Sequence, residues 1–263
     1  MRGWERGIRR RLLLKGAAVA PLLAAPALRT KAEPRTLKIG VLTDMSSWGR
    51  DNGGPGSVYA ANAAAEEFNR EVAGRSVEIL VGDHRMSPDI GMTIARKWID
   101  ADGVEVIADV PNSAIALAVS GLCKQKNRIA LLSGAGSSAL TNERCNDRTV
   151  QFTYNTYATA KVTTEALAAQ GAKTWFFITA DYAFGKQLQA DATAFIQQTG
   201  GKVLGHALHP TGTSDFSSLL LQAQASRADV VALANAGTDC TNALKQANEF
   251  GLTRSGQKIV ALA

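Results

Sequence analysis

The sequence predicts an α/β fold in which two successive groups of strand–helix units each build a parallel sheet with helices on both faces. Three observations carry this expectation. From Leu37 onward, short apolar runs alternate with longer stretches whose apolar residues recur at helical spacing. Glycines and prolines stand at the junctions, where helices stop and start. The pattern restarts after a polar stretch near residues 141–156, leaving about four units on each side. Such regular alternation implies crossover connections and hence parallel sheets.

The elements follow in order. Leu37 to Leu42 is a strand ending at Thr43-Asp44. After a glycine-rich loop, Val58, Ala61, Ala65, Phe68 and Val72 fall at spacings of 3, 4, 3 and 4, which predicts one helix stopped by Gly74. Val77 to Val81 is the next strand. Ser87 as cap and Pro88 at the first position open a helix with a buried stripe of Ile90, Ile94, Trp98 and Ala101, ended by Gly103. Val104 to Ala108 is a strand, Ser113 to Lys124 a helix behind Asn112, and Arg128 to Leu132 a fourth strand. In the second group, Val150 to Phe152, Thr174 to Thr179, Lys202 to His206, Val230 to Leu233 and Ile259 to Leu262 read as strands. Helices run between them from Tyr157 to Gln170, from Phe184 to Thr199, behind a Ser214-Asp215 cap, and from Thr238 to Phe250. The last strand meets the chain end without a covering helix, which predicts a piece of a longer protein.

Of the 263 residues, 46% are hydrophobic and 20% charged, too mixed for disorder and enough for one large domain or two modest ones. The formal charge is +6, but eight of the 29 Lys/Arg and one of the 23 acids fall in residues 1–32. The rest carries 21 bases against 22 acids and so lacks the footprint of a nucleic-acid binder. Residues 1–32 read as an export signal. A basic segment reaches Lys15, Gly16 to Leu28 is small and apolar, and Ala25-Pro26-Ala27 offers a cleavage pattern. Those 13 residues, broken by Pro21 and Pro26, are too short to span a bilayer, which takes about 20. Arg10-Arg11-Leu12-Leu13-Leu14-Lys15 also resembles a twin-arginine signal. Cys123, Cys145 and Cys240 have no metal-site spacing. In an oxidising compartment, Cys123 with Cys145 is the favoured pair; the alternative is three small buried hydrophobes.

Catalytic constellations are thin. His84, His206 and His209 read as surface or turn residues, and His206 and His209 point to opposite faces of a strand. Gly134-Ala-Gly136-Ser-Ser-Ala139 matches a dinucleotide-binding pattern and supports a rival reading as an exported oxidoreductase. However, it follows the fourth strand rather than the first, and no helical stripe comes after it. The loops at the carboxyl ends of the predicted strands carry Asp44 to Trp48, Asp109 to Ser113, Ser133 to Ser137, Thr179 to Tyr182 and Asn235 to Asp239. Open parallel sheets bind ligands beyond those ends, and hydroxyls and N–H groups at helix starts suit a carboxylate. The competing reading is that these residues only cap helices.

At these loops the chain resembles the exported substrate-binding proteins of ABC importers, in the Leu/Ile/Val-binding branch of the type I periplasmic binding proteins. The residues that carry the resemblance are Leu37 to Ser46, Ser133 to Ser138, Phe177 to Gly185, Asp215 to Ser226 and Leu233 to Gly237. It implies two Rossmann-like lobes joined by hinge strands, the ligand closing between them. Residues 33–150 form the N-terminal lobe, 151–255 the C-terminal lobe, and 256–263 begin a return to the first. It implies further that Asn112, Ser113, Ser133, Gly134, Ala135 and Ser137 hold a ligand carboxylate. Trp48 lies against the ligand side chain, while Tyr182, Phe184, Asn235 and Ala236 contribute from the second lobe. The implied protein is a periplasmic monomer with no cofactor and no catalytic step, delivering a small carboxylate, either an amino acid or an aromatic acid, to a membrane permease. A ligand-sensing receptor domain is the remaining alternative on the same fold.

Overall fold

The computed structural model describes residues 35–263, which lie in one compact unit. The proposed export signal, residues 1–32, lies outside the described residues. Ten strands and seven α-helices alternate along the described chain. The first sheet has the order β2-β3-β1-β4-β5-β6 and the second β10-β9-β7-β8. In the first, β1 (Leu37–Thr43) runs parallel to β3 (Arg75–Asp83) and β4 (Val106–Asp109), with β5 (Ile129–Leu132) and β6 (Thr149–Gln151) beyond. In the second, β7 (Thr174–Ala180) lies between β8 (Lys202–His209) and β9 (Val230–Ala234). All five residues of β9 are buried, which explains why it reads as an unbroken apolar run.

Helices α2 (Pro88–Lys97) and α3 (Ser113–Lys126) pack on the first sheet, while α5 (Ala183–Gln198), α6 (Ser217–Ser226) and α7 (Gly237–Glu249) pack on the second. Helix α4 (Thr156–Ala169) lies along α5. The Ser87 hydroxyl accepts from the Ile90 N–H, so its expected cap is present. The buried stripe of α2 and the π-helical turn after it (Trp98–Asp102), however, is Gly91, Ala95, Trp98 and Ile99, with Ile90 and Ala101 at the surface. Trp98 sets that rotation: its ring covers Gly40 of β1, where a Cβ would come within 2.4 Å of it.

Other expectations are corrected. Helix α1 (Gly54–Glu67) ends before Phe68, and Val72 belongs to a short strand, β2 (Glu71–Val72), antiparallel to β3. The chain leaves the helix through Asn69 and Arg70, both at positive φ. Asp215 does not cap α6 from the position before it; its carboxylate accepts from the Ser217 N–H at 2.9 Å, and Phe216 holds the cap position. Residues 258–261, expected to begin a return to the first lobe, form β10 (Lys258–Ala261) beside β9 in the second sheet. All three cysteines are free: Cys123 faces the core of α3 while Cys145 is at the surface, so the expected pair does not form. Of the histidines, only His206 is exposed; His84 and His209 are buried.

Candidate functional site

Each sheet changes direction at its first long strand, β1 between β3 and β4, and β7 between β8 and β9. Loops that leave strands on either side of such a reversal diverge and open a crevice. Here a crevice of about 360 Å³ lies beyond the carboxyl ends of the strands. Trp48, Asn52, Met86, Pro111, Ser133, Gly134 and Gly136 line it from the first sheet. Thr153 and Tyr154 follow β6, and Tyr182, Phe184, Ala236, Gly237 and Ala263 come from the second sheet.

Asp44 builds the loop that carries Trp48. Its Oδ1 accepts from the N–H groups of Ser46 (3.2 Å) and Ser47 (2.9 Å). Its Oδ2 accepts from the Ser47 hydroxyl (2.6 Å) and the Gly49 N–H (2.8 Å). Four donors around one buried carboxylate fix the turn that presents the indole. Trp48 then meets Tyr182 edge to face at 6.1 Å between ring centroids, and Tyr182 lies 6.0 Å from Phe184. Burial, with Tyr154 and Asp239 nearby, holds the Tyr182 phenol above its usual range, so it stays neutral.

The floor on the first-sheet side is strained. Asp109 (φ 76) and Val110 (φ 53) both sit in the left-handed region, which costs a non-glycine residue roughly 1–3 kcal/mol. This turn brings Asp109 beneath the next loop, where the Ser133 hydroxyl donates to its Oδ1 at 2.9 Å. The Ser133 proton is thus committed to Asp109, and the crevice sees the lone pairs of that hydroxyl. On the second-sheet side His209 Nδ1 lies 2.8 Å from the Pro210 carbonyl, which can only accept, so the proton sits on Nδ1. Nε2 then accepts from the Asn235 amide at 3.2 Å. Asp239, 3.8 Å from the His209 ring, accepts from the Gly212 N–H, and burial raises its carboxyl above the ordinary range.

Six of the eleven residues singled out in the sequence line the crevice: Trp48, Ser133, Gly134, Tyr182, Phe184 and Ala236. The other five do not. Asn112 caps α3, its Oδ1 accepting from Ala114 and Ile115 N–H at 2.9 and 3.1 Å. Ser113 and Ser137 are buried with hydroxyls that meet no partner among the described residues. Ala135 packs in the first core, and Asn235 supports His209. Asn52, Met86, Thr153, Tyr154 and Ala263 were not foreseen. Met86 arrives through a positive-φ pair with Arg85, which no glycine signals; Tyr154 could have been found as one more aromatic in a loop beyond a strand. After Gly136 comes only a three-residue 3₁₀ turn, Ser138–Leu140. The Gly134–Ala139 segment therefore lacks the long helix whose N-terminus would hold a pyrophosphate. The crevice offers ring faces, small residues and the N-termini of α5 and α7, with no histidine among its lining residues.

Residues 36–263 match the family described as periplasmic binding protein. The chain belongs to that family. Among solved structures it is 44% identical to a periplasmic binding protein from Burkholderia mallei, with a TM-score of 0.84, over 87% of this chain and 60% of that one. It is 38% identical, with a TM-score of 0.70, to a branched chain amino acid ABC transporter periplasmic ligand-binding protein from Burkholderia xenovorans LB400, covering 86% and 60%. At 25% identity and a TM-score of 0.75 it resembles a solute binding protein of an ABC transporter from Rhodopseudomonas palustris BisB5, in complex with 3,4-dihydroxy benzoic acid, covering 86% and 61%. The chain thus spans about three-fifths of the length of these structures. A comparison with curated proteins gives no match. The family's fold accounts for both sheets.

Proposed function

We propose that this periplasmic binding protein is the solute-capturing component of an ABC importer. It is exported by residues 1–32, acts as a monomer without cofactor or catalytic step, and hands a small carboxylate to a membrane permease. The observation that carries this reading is the crevice at the carboxyl ends of both sheets, lined from each side and carrying four aromatic residues, Trp48, Tyr154, Tyr182 and Phe184. Two lobes, divided near residue 150, would close on the ligand by a hinge motion and exclude water.

The ligand is an aliphatic amino acid or an aromatic acid. The rings favour the aromatic class, because a stacked aromatic pair adds about 0.5–1.5 kcal/mol beyond area burial. With Asn112 engaged as a cap and the Ser133 proton given to Asp109, the carboxylate would be held by N–H groups at helix starts. Titration calorimetry with leucine and with 4-hydroxybenzoate tests the proposal. The expected result is binding of at least one, with Trp48→Ala weakening the aromatic acid by up to roughly tenfold more than leucine. If the parent protein takes up neither class, the carboxylate reading fails.

A further inference from the structure

A second cleft, of about 680 Å³, opens at the other end of the first sheet. There the parallel strands begin, roughly 20 Å from the solute crevice at about 3.3 Å per strand residue. Arg35 and Lys38 enter it at the start of β1, Arg75 at the start of β3, and Arg128 just before β5. Asp102 and Glu105 also line it, but both are already engaged. Lys97 holds Asp102 at 2.6 Å, and Arg75 grips both oxygens of Glu105. Lys38 has only a loose contact with Glu78, at 3.7 Å. Arg35 and Arg128 have no ion-pair partner within 4.0 Å among the described residues, although their charges reach Glu105 and help hold its carboxyl below the ordinary range. The Arg128 Nε is buried without a hydrogen-bond partner among those residues.

This concentration of charge is local. Outside residues 1–32 the chain carries 21 bases and 22 acids, so overall charge draws no anion to this face. Complementing the carboxyl end of α3 does not account for it either, because Lys124 and Lys126 already stand in that helix's last turn. Planar guanidinium forks match the geometry of phosphate oxygens in a way that a dispersed surface charge does not.

We propose that this cleft is a second ligand site, taking a polyvalent phosphate-type oxyanion between Arg35, Lys38 and Arg128. Inorganic phosphates and phospholipid headgroups share this chemistry, and two probes separate them. The first is calorimetric titration of the full chain with pyrophosphate at low ionic strength. The second is co-sedimentation with vesicles of phosphatidylglycerol against vesicles of phosphatidylcholine. Saturable one-to-one pyrophosphate binding, or sedimentation with the anionic vesicles alone, is expected. Either should weaken roughly tenfold or more in Arg128→Gln and in Arg35→Gln, each of which removes a charged hydrogen-bond donor. Lys245→Gln, an equal loss of charge at an exposed site on α7, should bind like the parent. Arg35 is exposed, so its variant decides the matter even if Arg128→Gln does not fold. Failure of both probes to bind the parent, or undiminished binding by Arg35→Gln, overturns the proposal. Leucine and 4-hydroxybenzoate titrations are independent of either result.

Discussion

His84 is fully buried just beyond β3, its Nδ1 accepting from the Met86 N–H at 3.0 Å while Nε2 meets no partner among the described residues. Burial pushes the imidazole below its ordinary value, and the nearby carboxylates of Asp44, Asp83 and Asp109 only partly oppose that. The unfolded chain therefore takes up a proton near pH 6.5 that the folded chain refuses. The stability that neutral His84 supports is fully present above that pH and is lost as pH falls toward the lower folded value. Urea unfolding at pH 7 and pH 5 should show the parent losing up to about 1.4 kcal/mol per pH unit from this group. His84→Asn should flatten that dependence; an unchanged slope would assign the acid sensitivity elsewhere. Single residues were the least legible scale in the sequence. Trp48, Tyr182 and Phe184, which the family resemblance implied at the ligand, do line the crevice. Asn112 could not be told from a cap, and it is one. His84 and His209 read from the sequence as surface or turn residues; nothing in the residue types signals the positive-φ pair Arg85 and Met86 beside His84, nor the packing of His209 against Phe216 and Asn235.

At the scale of elements, α5 shows how closely helices must seat to shape the crevice. Gly185 lies in its first turn, where a Cβ would stand 2.3 Å from the Ala180 carbonyl oxygen and 2.8 Å from that of Ala234. These oxygens belong to the ends of β7 and β9, so backbone has to move to admit a methyl group. Gly185→Ala is expected to cost about 1–3 kcal/mol and to lower the melting midpoint measured by circular dichroism. Gly121 inside α3 has open space at the same test, and Gly121→Ala should be neutral or stabilising by up to about 1 kcal/mol. A melt in which Gly185→Ala matches the parent would show that α5 can slide on the strands. Most parallel strands were legible because buried strands read as short apolar runs bounded by turns, but β6, expected to open the second group, pairs with β5 in the first sheet. The α1 to β2 junction was not, since Phe68 and Val72 keep helical spacing with the helix before them. Nothing in their residue types shows that the chain breaks at Asn69 and Arg70. In α2 the periodicity was visible but its phase was not, because which stripe is buried depends on where Trp98 finds room over Gly40.

At the scale of the whole molecule, the crevice loops need an anchor that joins the two sheets, and Asp191 on α5 supplies one. Its Oδ2 accepts from the Ser138 hydroxyl at 2.8 Å and the Thr156 hydroxyl at 2.6 Å, while Gln187 donates to Oδ1 at 2.9 Å. Ser138 ends the loop that starts at Ser133 and supplies three lining residues, Ser133, Gly134 and Gly136. The Thr156 hydroxyl oxygen, in turn, accepts from the Ser138 N–H at 3.0 Å. One carboxylate on a second-sheet helix therefore fixes the end of a first-sheet crevice loop without itself lining the crevice. Asp191→Ala leaves two hydroxyls without their acceptor, a loss of roughly 1–3 kcal/mol, visible as a lower melting midpoint. It should also weaken uptake of whichever carboxylate the parent binds, because the loop has to be ordered again on binding. Asp191→Asn keeps an acceptor for the hydroxyls and should recover much of both effects. Calorimetry beside a thermal melt distinguishes the outcomes. Lower stability with unchanged affinity would mean that the loop holds its shape unaided, and Asp191 would then serve the fold alone.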